Sequence, residues 1–304
     1  MSVTSPAFPP LVLDGVDAAY GGAAALRRVS LAVAPGENVI LLGPNGSGKT
    51  TLLCCAAGTR APVAGRVLLG GVLAARLSAR ERARRRAVLP QQPERPHGLS
   101  ARQLVLLGRF PWLPWLGFYR RQDHAAAARA LAAVDAESLA DRRVETLSGG
   151  EWQRVLLARA LAQMDGAAAP LFLLDELAAS LDPARAEELF ALLERRRRAG
   201  AALLQAAHDC NLAARHATRL VGVRAGRILF DGPVRAVFTE ENLSALYDLP
   251  LRVFRHPDGD IPQALPALVQ GAAPPLAGGR PASPVPGPCP AGGGDAGGAC
   301  RSHG

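Results

Sequence analysis

Lysine is nearly missing from this chain of 304 residues: Lys49 is the only one, and arginine supplies the rest of the positive charge behind a net charge of +9. Aromatic residues make up only 5%, and none is interleaved with the basic runs as in nucleic-acid-binding surfaces. Long apolar runs are missing as well, because the most apolar window, Gly166 to Leu174, lies between Asp165 and Asp175. A membrane-spanning helix needs about 20 apolar residues. The composition therefore predicts no nucleic-acid partner and no membrane span.

Cysteines with metal-binding or redox spacing are also absent. Cys54 and Cys55 are adjacent, Cys210 stands alone, and Cys289 and Cys300 lie near the C-terminus. We expect small buried side chains and two thiols in a tail. The N-terminal residues show no basic region followed by an apolar run, so no secretory signal is visible and we expect the chain to stay in the cytoplasm.

Composition divides the chain into two parts. Residues 9–262 have the length and the apolar content for one large α/β domain with an ample core. Residues 271–304 are rich in glycine, proline and alanine and have no periodicity, so we predict a disordered tail. The densest basic runs, 84–86 and 195–198, fall on segments of helical character, where we expect solvated helix faces.

A glycine-rich loop between an apolar strand and a helix is the first sign of chemistry. Residues 43–51 read GPNGSGKTT and follow the apolar run 38–42, the context that GxxxxGK[ST] requires for phosphate binding. Glycines let backbone N–H groups turn inward around a β-phosphate, and the helix N-terminus adds to the attraction. The residues assigned to nucleotide binding in this loop are Gly43, Pro44, Asn45, Gly46, Ser47, Gly48, Lys49, Thr50 and Thr51.

Lys49 and Thr50 have separate roles in this prediction. An ammonium group on a thin flexible stem can reach the β- and γ-phosphates, where a planar guanidinium would be too wide, and the sole lysine stands at this position. The Thr50 hydroxyl is suited to bind Mg²⁺. The loop therefore predicts ATP and Mg²⁺ as ligands.

Two carboxylates follow a second apolar run. Residues 170–176 read PLFLLDE, which predicts a central strand that delivers Asp175 and Glu176 at its C-terminal edge, where ligands bind in open α/β sheets. We predict that Asp175 holds Mg²⁺ through water and that Glu176 polarises the attacking water. Together with the loop, this pair predicts ATP hydrolysis.

Residues 147–154, LSGGEWQR, form a second glycine-rich turn that opens a helix. Ser148, Gly149 and Gly150 are suited to cradle a phosphate. The segment resembles the signature motif of ABC transporter ATPases, and the resemblance extends over residues from about 10 to 260.

The resemblance implies the fold and four further positions. We expect an α/β P-loop NTPase (RecA-like) core, an N-terminal antiparallel β subdomain and an α-helical subdomain inserted at about 93–165. Tyr20 resembles the aromatic residue that stacks on adenine, and His208 resembles the switch histidine that faces the γ-phosphate. Gln91 resembles the glutamine that contacts Mg²⁺ and the transporter interface, with the adjacent Gln92 leaving the register open. Ser180, Leu181 and Asp182 resemble the D-loop of the family, and Asp182 is the residue assigned to nucleotide binding there.

The sequence departs from the family pattern at two places. Leu177-Ala178 replaces the usual Pro-Thr/Ser after the acidic pair, and Trp152 stands where a polar residue is usual. Neither departure removes a catalytic atom, so we expect activity to survive.

The family also implies partners. The signature and the P-loop lie on different subdomains, so we expect two copies to pair head to tail, with Ser148 and Gly150 of one copy closing over the ATP held by Lys49 of the other. The other implied partners are a transmembrane permease and, indirectly, a periplasmic or extracellular binding protein. They would place the chain on the cytoplasmic face of a bacterial inner membrane.

Three segments are similar to the importers of ferric siderophores, haem and cobalamin: residues 106–135, 208–215 and 246–259. The sequence does not choose among these cargoes. Aromatic side chains in the first segment are interpreted as an exposed dock for the permease rather than as loop packing. They include Phe110, Trp112 and Trp115.

Two other functional classes stay open. A soluble ABC ATPase without a membrane partner usually carries two ATPase domains or a long coiled coil, and this sequence has neither. A regulatory subunit that binds ATP without hydrolysing it is opposed by Lys49, Glu176 and His208, and is favoured by Leu177-Ala178.

Overall fold

The structure, a computed structural model, describes residues 8–91, 93–114, 117–177, 182–256, 259 and 261–267. Several positions discussed above lie outside the described residues: Gln92, Trp115, Ala178, Ser180, Leu181 and the tail 271–304. The disorder of that tail therefore stays a prediction.

The strands are β1 (Leu11–Tyr20), β2 (Ala23–Val33), β3 (Asn38–Leu42), β4 (Ala64–Leu69), β5 (Val72–Leu73), β6 (Arg86–Leu89), β7 (Leu171–Asp175), β8 (Ala202–Ala206), β9 (Arg219–Arg224), β10 (Arg227–Pro233), β11 (Leu251–Arg255) and β12 (Pro262–Pro266). The helices are α1 (Lys49–Ala57), α2 (Ala79–Arg85), α3 (Ala101–Leu107), α4 (Arg121–Ala133), α5 (Gly149–Met164), α6 (Pro183–Arg198), α7 (Cys210–His216), α8 (Val234–Val237) and α9 (Glu240–Tyr247).

A six-stranded sheet in the order β10-β9-β3-β8-β7-β6 forms the centre of the fold. Its strands run parallel except β10, which is antiparallel to β9. Every residue of β3, β7 and β8 is buried, which explains why these segments read as continuous apolar runs rather than alternating ones. Because parallel strands end at one edge, the segments that follow β3, β7 and β8 meet there.

A second, antiparallel sheet has the order β2-β1-β4-β5. It extends beyond the N-terminal hairpin because β4 and β5 join it. Its buried side chains share one core with α1 and the central sheet, represented by Leu11, Leu52 and Leu171.

Helices α3, α4 and α5 form a layer over the other face of the central sheet. Leu104, Leu131 and Leu157, one from each helix, share a buried cluster with Phe172 of β7. The expected P-loop α/β core, antiparallel β subdomain and helical subdomain are therefore confirmed. Within the described ranges, no helix has both the length and the apolar composition to cross a membrane.

The arginine runs are not simply solvated helix faces, contrary to expectation. Arg86 lies in β6 rather than in a helix, its side chain donates to the Ala57 carbonyl, and burial lowers its pKa to about 10. Arg84 donates to the Pro111 carbonyl at 2.7 Å, and Arg197 donates to the Gly36 carbonyl at 2.7 Å. Arginine is used here as a multidentate donor for loop carbonyls, which charge counting cannot show.

Candidate functional site

The glycine-rich loop leaves β3 and enters α1 directly at Lys49. Gly43 has a φ of +152°, and a Cβ there would lie 2.1 Å from the Val223 carbonyl oxygen. Gly48, the N-cap of α1, has a φ of +110°, and a Cβ would lie 2.7 Å from the Ala25 carbonyl oxygen. Only glycine fits both positions, so the backbone can curve into a cradle.

An open cleft with a volume of about 600 Å³ lies beside this loop. It brings together most of the loop with three residues distant in sequence, Gln91, Glu176 and His208. Ala25 of β2 also lines the cleft and was missed by the sequence reasoning, because an alanine in a strand carries no motif. The other lining residues are Asn45, Gly46, Ser47, Gly48, Lys49, Thr50 and Thr51.

Lys49 is held inside the curve of its own loop. Its Nζ donates to the carbonyl oxygens of Gly43 at 2.7 Å and Pro44 at 3.1 Å, and the residue is only 5% exposed. Burial lowers the pKa of the ammonium group, and the carboxylates of Glu176 and Asp175 act in the opposite direction. An ammonium has three N–H donors, so one donor stays available for a phosphate.

Asp175 ends β7 and is 8% exposed. Burial raises the pKa of its carboxyl group, while a hydrogen bond with the Thr50 side chain acts against this. Its Oδ1 atom is buried and has no hydrogen-bond partner within the described residues. The structure therefore brings Thr50 and Asp175, two of the three residues predicted to contact Mg²⁺, together and leaves one Asp175 oxygen unsatisfied.

Glu176 is the point at which the catalytic candidates meet. Its Oε2 accepts a hydrogen bond from Gln91 Nε2, and its Oε1 pairs with His208 Nε2. Its backbone has a φ of +51°, in the left-handed region, and its N–H donates to the Ala206 carbonyl at 3.1 Å. A non-glycine residue in this region costs of order 1–3 kcal/mol, and such strain clusters at functional sites. The hydrogen bond between Gln91 and Glu176 favours Gln91 as the glutamine expected to contact Mg²⁺ and the transporter interface.

Ser148 opens α5 but does not border this cleft in the described part of the chain. Its hydroxyl accepts from the Glu151 N–H, and Glu151 Oε2 accepts from the Ser148 N–H at 2.8 Å, which forms a capping box. Hydrogen bonding by the Ser148 backbone and hydroxyl to the Glu151 carboxyl lowers the pKa of that carboxyl. A Cβ added at Gly149 would meet nothing within 4 Å, so this helix start faces open space.

Two other predicted contacts are not settled by the cleft. Tyr20 ends β1 and pairs with Ala23, two residues before the cleft-lining Ala25. Asp182 is the N-cap of α6, where its Oδ1 accepts from the Arg185 N–H at 3.0 Å. A nucleotide role for either residue stays a prediction.

Trp112 is half-buried rather than exposed as expected, and its part in a permease dock stays a prediction. Its Nε1 donates to the Gln163 carbonyl at 2.7 Å, and the guanidinium groups of Arg84 and Arg109 lie over its ring at 5.5 Å and 5.4 Å. Trp112 therefore anchors a loop onto α5. Phe110, also predicted for the dock, is exposed at 65%, and the nearby Phe118 is exposed at 91%.

A buried ion pair beneath this loop was also missed. Arg109 Nε lies 3.1 Å from Asp123 Oδ1, and its Nη1 donates to the carbonyls of Ala162 and Asp165 at the end of α5. Arg109 and Asp123 belong to no recognisable sequence motif, so only the fold reveals their pairing. Leu177 stands where the family usually has proline. It is 8% exposed and packs in the buried cluster that α3, α4 and α5 share with Phe172.

Comparison with known proteins agrees with this geometry. A family model described as "ABC transporter" matches residues 26–179. A hemin import ATP-binding protein from Nocardia farcinica is 44% identical over 243 residues, which cover 78% of this chain and 82% of that protein. A protein from Bacillus subtilis, named for a siderophore transport system, is 36% identical over 260 residues, with 84% and 93% covered.

Solved structures show the same fold. The dimeric structure of a bacterial ABC transporter cassette matches with a TM-score of 0.66 and 27% identity, covering 74% of this chain and 99% of that one. A chain from a metal-chelate type ABC transporter in an inward-facing conformation matches with a TM-score of 0.71 and 24% identity, covering 85% and 97%.

Proposed function

The chain belongs to the ABC transporter family of ATP-binding subunits, and on that premise we propose that it hydrolyses ATP in the Lys49 cleft to drive import through a partner permease. The observation that carries the proposal is the contact of Gln91 and His208 with Glu176 beside the glycine-rich loop. These three side chains come from three distant segments, and their convergence beside the glycine-rich loop supports a site that handles a γ-phosphate.

The substrate is ATP, and its phosphates fit the positive end of the cleft. Backbone N–H groups of the loop, the start of α1 and the Lys49 ammonium all favour an anion. Mg²⁺ suits the Thr50 hydroxyl and the unsatisfied Asp175 Oδ1, since this ion prefers oxygen ligands and keeps several waters. When bound, it neutralises charge on the phosphate oxygens.

Glu176 is the proposed general base. A carboxylate has about four lone-pair positions, and Gln91 and His208 occupy one on each oxygen. The remaining positions can accept a proton from water next to the γ-phosphate. His208 and Gln91 orient the carboxylate and sense whether the phosphate is present.

A second copy completes the site in this proposal. The signature turn, Ser148 to Gly150, opens α5, has open space beside Gly149, and does not line the cleft of its own chain. One ATP needs a donor set opposite Lys49, and a head-to-tail pair supplies it twice by symmetry. The similarity to a dimeric bacterial cassette supports this arrangement.

The remaining partners follow from the family. We propose docking on a permease at the cytoplasmic face of a bacterial inner membrane, with a binding protein on the other side. Exposed Phe110 and Phe118 are the aromatic contacts proposed for that dock. A soluble or regulatory ATPase without a transport partner is the second candidate.

For the cargo, we propose an iron complex, haem or a ferric siderophore, ahead of cobalamin. The support is that the relatives described above are named for hemin import and siderophore transport. The cleft itself contacts nucleotide and carries no information on cargo.

The test is uptake by proteoliposomes that hold this chain and a candidate permease, with the candidate binding protein supplied outside. Haem, a ferric siderophore and cobalamin are each offered with ATP inside the vesicles. We expect ATP-dependent uptake of one iron complex. In Glu176→Gln this uptake should be lost, because the ATPase rate should fall by about two orders of magnitude or more. Full ATPase activity with no uptake of any of the three would favour the second candidate.

A further inference from the structure

Two segments resemble the same group of importers, but the ATP site does not by itself explain why both are present. One runs from His208 to Arg215 and the other from Leu246 to Gly259. In the structure both pack around one buried cluster that includes Ile40, Leu243 and Leu246.

Asn211 of α7 grips the outer edge of the C-terminal hairpin. Its Oδ1 accepts from the Ala264 N–H at 2.7 Å, and its Nδ2 donates to the Ala264 carbonyl at 3.1 Å. Ala264 of β12 faces Val253 of β11 in the ladder. The Val253 N–H points the other way, to Glu240 Oε1 at 3.0 Å. The hairpin is thus held on one edge by α9 and on the other by the helix that follows His208.

The His208 loop is also tied from the side of α9. The hydroxyl of Tyr247, the last residue of α9, donates to the His208 carbonyl at 3.4 Å, and burial raises the pKa of that phenol. Asp209 then caps α7 by accepting from the N–H groups of Asn211 and Leu212.

The upstream side of His208 is fixed by the central sheet, since the Ala207 N–H donates to the Leu41 carbonyl at 3.0 Å. Downstream, the contacts of Tyr247 with the His208 carbonyl and of Asn211 with Ala264 fix the chain on the other side. With its backbone held on both sides, the His208 imidazole stays in contact with Glu176. If the loop moved by about the length of a hydrogen bond, that contact would be lost.

We propose that Tyr247 and Asn211 are positioning residues that hold His208 in contact with Glu176, with the Ala264 backbone of the C-terminal hairpin as the fixed support for Asn211. This rests on the proposed role of His208 in hydrolysis. The group of importers with both segments would then use the hairpin as a fixed wall behind the switch histidine.

The experiment measures ATPase kinetics and ATP affinity of the full-length chain. Tyr247→Phe removes a single hydroxyl, and Asn211→Ala removes both bonds to Ala264. Each is expected to lower kcat roughly tenfold, with little change in ATP affinity, because neither side chain lines the cleft beside the Lys49 loop. Leu265→Ser is the matched control, since this hairpin neighbour of Ala264 is 54% exposed.

A double-mutant cycle separates positioning from general destabilisation. If both residues act through His208, neither substitution lowers kcat further in a His208→Ala background. A loss that persists undiminished in that background overturns the inference, as does normal kcat in both single variants. Thermal unfolding of each variant shows that the fold is retained.

Failure of the two ideas looks different. A low kcat in His208→Ala with normal kcat in Tyr247→Phe and Asn211→Ala overturns the positioning role alone. A normal kcat in His208→Ala removes the proposed role of that histidine, and the positioning inference with it.

Discussion

Replacing Arg109 by methionine should destabilise the fold far more than losing any exposed arginine. The Arg109 and Asp123 side chains are only 9% and 4% exposed, and Arg109 also donates to the carbonyls of Ala162 and Asp165 at 2.8 Å and 2.7 Å. Methionine keeps the apolar stem but leaves a buried carboxylate without its cation. Breaking a buried pair from one side costs about 3–5 kcal/mol.

The matched control is Arg129→Met in the same subdomain. Arg129 pairs with Asp165 at 2.7 Å, but the two side chains are 65% and 40% exposed. Exposed pairs contribute about 0–1 kcal/mol. The assay is urea unfolding followed by circular dichroism, because Trp112 lies under the Arg109 guanidinium and its fluorescence would change locally.

A double variant completes the argument. In Arg109→Met/Asp123→Leu the unpaired charge is gone, so much of the lost stability should return. Equal unfolding midpoints for Arg109→Met and Arg129→Met would refute the reasoning. A double variant that is destabilised relative to Arg109→Met as much as Arg109→Met is relative to the original chain would also refute it.

The remaining predictions concern the ATP site. Lys49→Ala should abolish tight ATP binding and hydrolysis, measured by nucleotide titration and phosphate release; normal turnover would show that the glycine-rich loop is not the site. Asp175→Asn should raise the Tm of the nucleotide-free chain at neutral pH while reducing Mg²⁺-dependent hydrolysis. Burial raises the pKa of Asp175 above its unfolded value, so its ionised form costs stability, and this cost grows as pH rises from below the unfolded pKa through the folded one. A lower Tm for Asp175→Asn would contradict this. Glu176→Gln should be monomeric without nucleotide and dimeric with ATP in mass measurements, and adding Ser148→Arg should abolish the dimer; a dimer that persists with Ser148→Arg would place the contact elsewhere.

The sequence predicts a functional element well where all of its residues lie in one short segment. The loop 43–51 needs glycines at fixed offsets and a lysine at the helix start, and the structure has the loop between β3 and α1. The all-apolar runs of β3, β7 and β8 predicted strands buried on both faces, and the edge where Glu176 emerges followed from parallel pairing.

The sequence does not predict which aromatic side chains are exposed to solvent. Trp112 and Phe110 are two residues apart, yet the first anchors α5 and the second is solvent-exposed. Side-chain direction in a short irregular turn has no periodicity to follow. It depends on which carbonyl a distant helix presents, here that of Gln163.

The glycine-rich loop, the acidic pair and the signature turn can be identified from the sequence alone, because each is a contiguous pattern whose chemistry is local. Which distant side chains meet at the cleft depends on the fold. Gln91, Glu176 and His208 are separated by long stretches of chain and converge because β6, β7 and β8 are consecutive in the sheet. The hold of Asn211 on Ala264 arises in the same way, since a side-chain amide can satisfy a strand edge only after folding brings that edge to it.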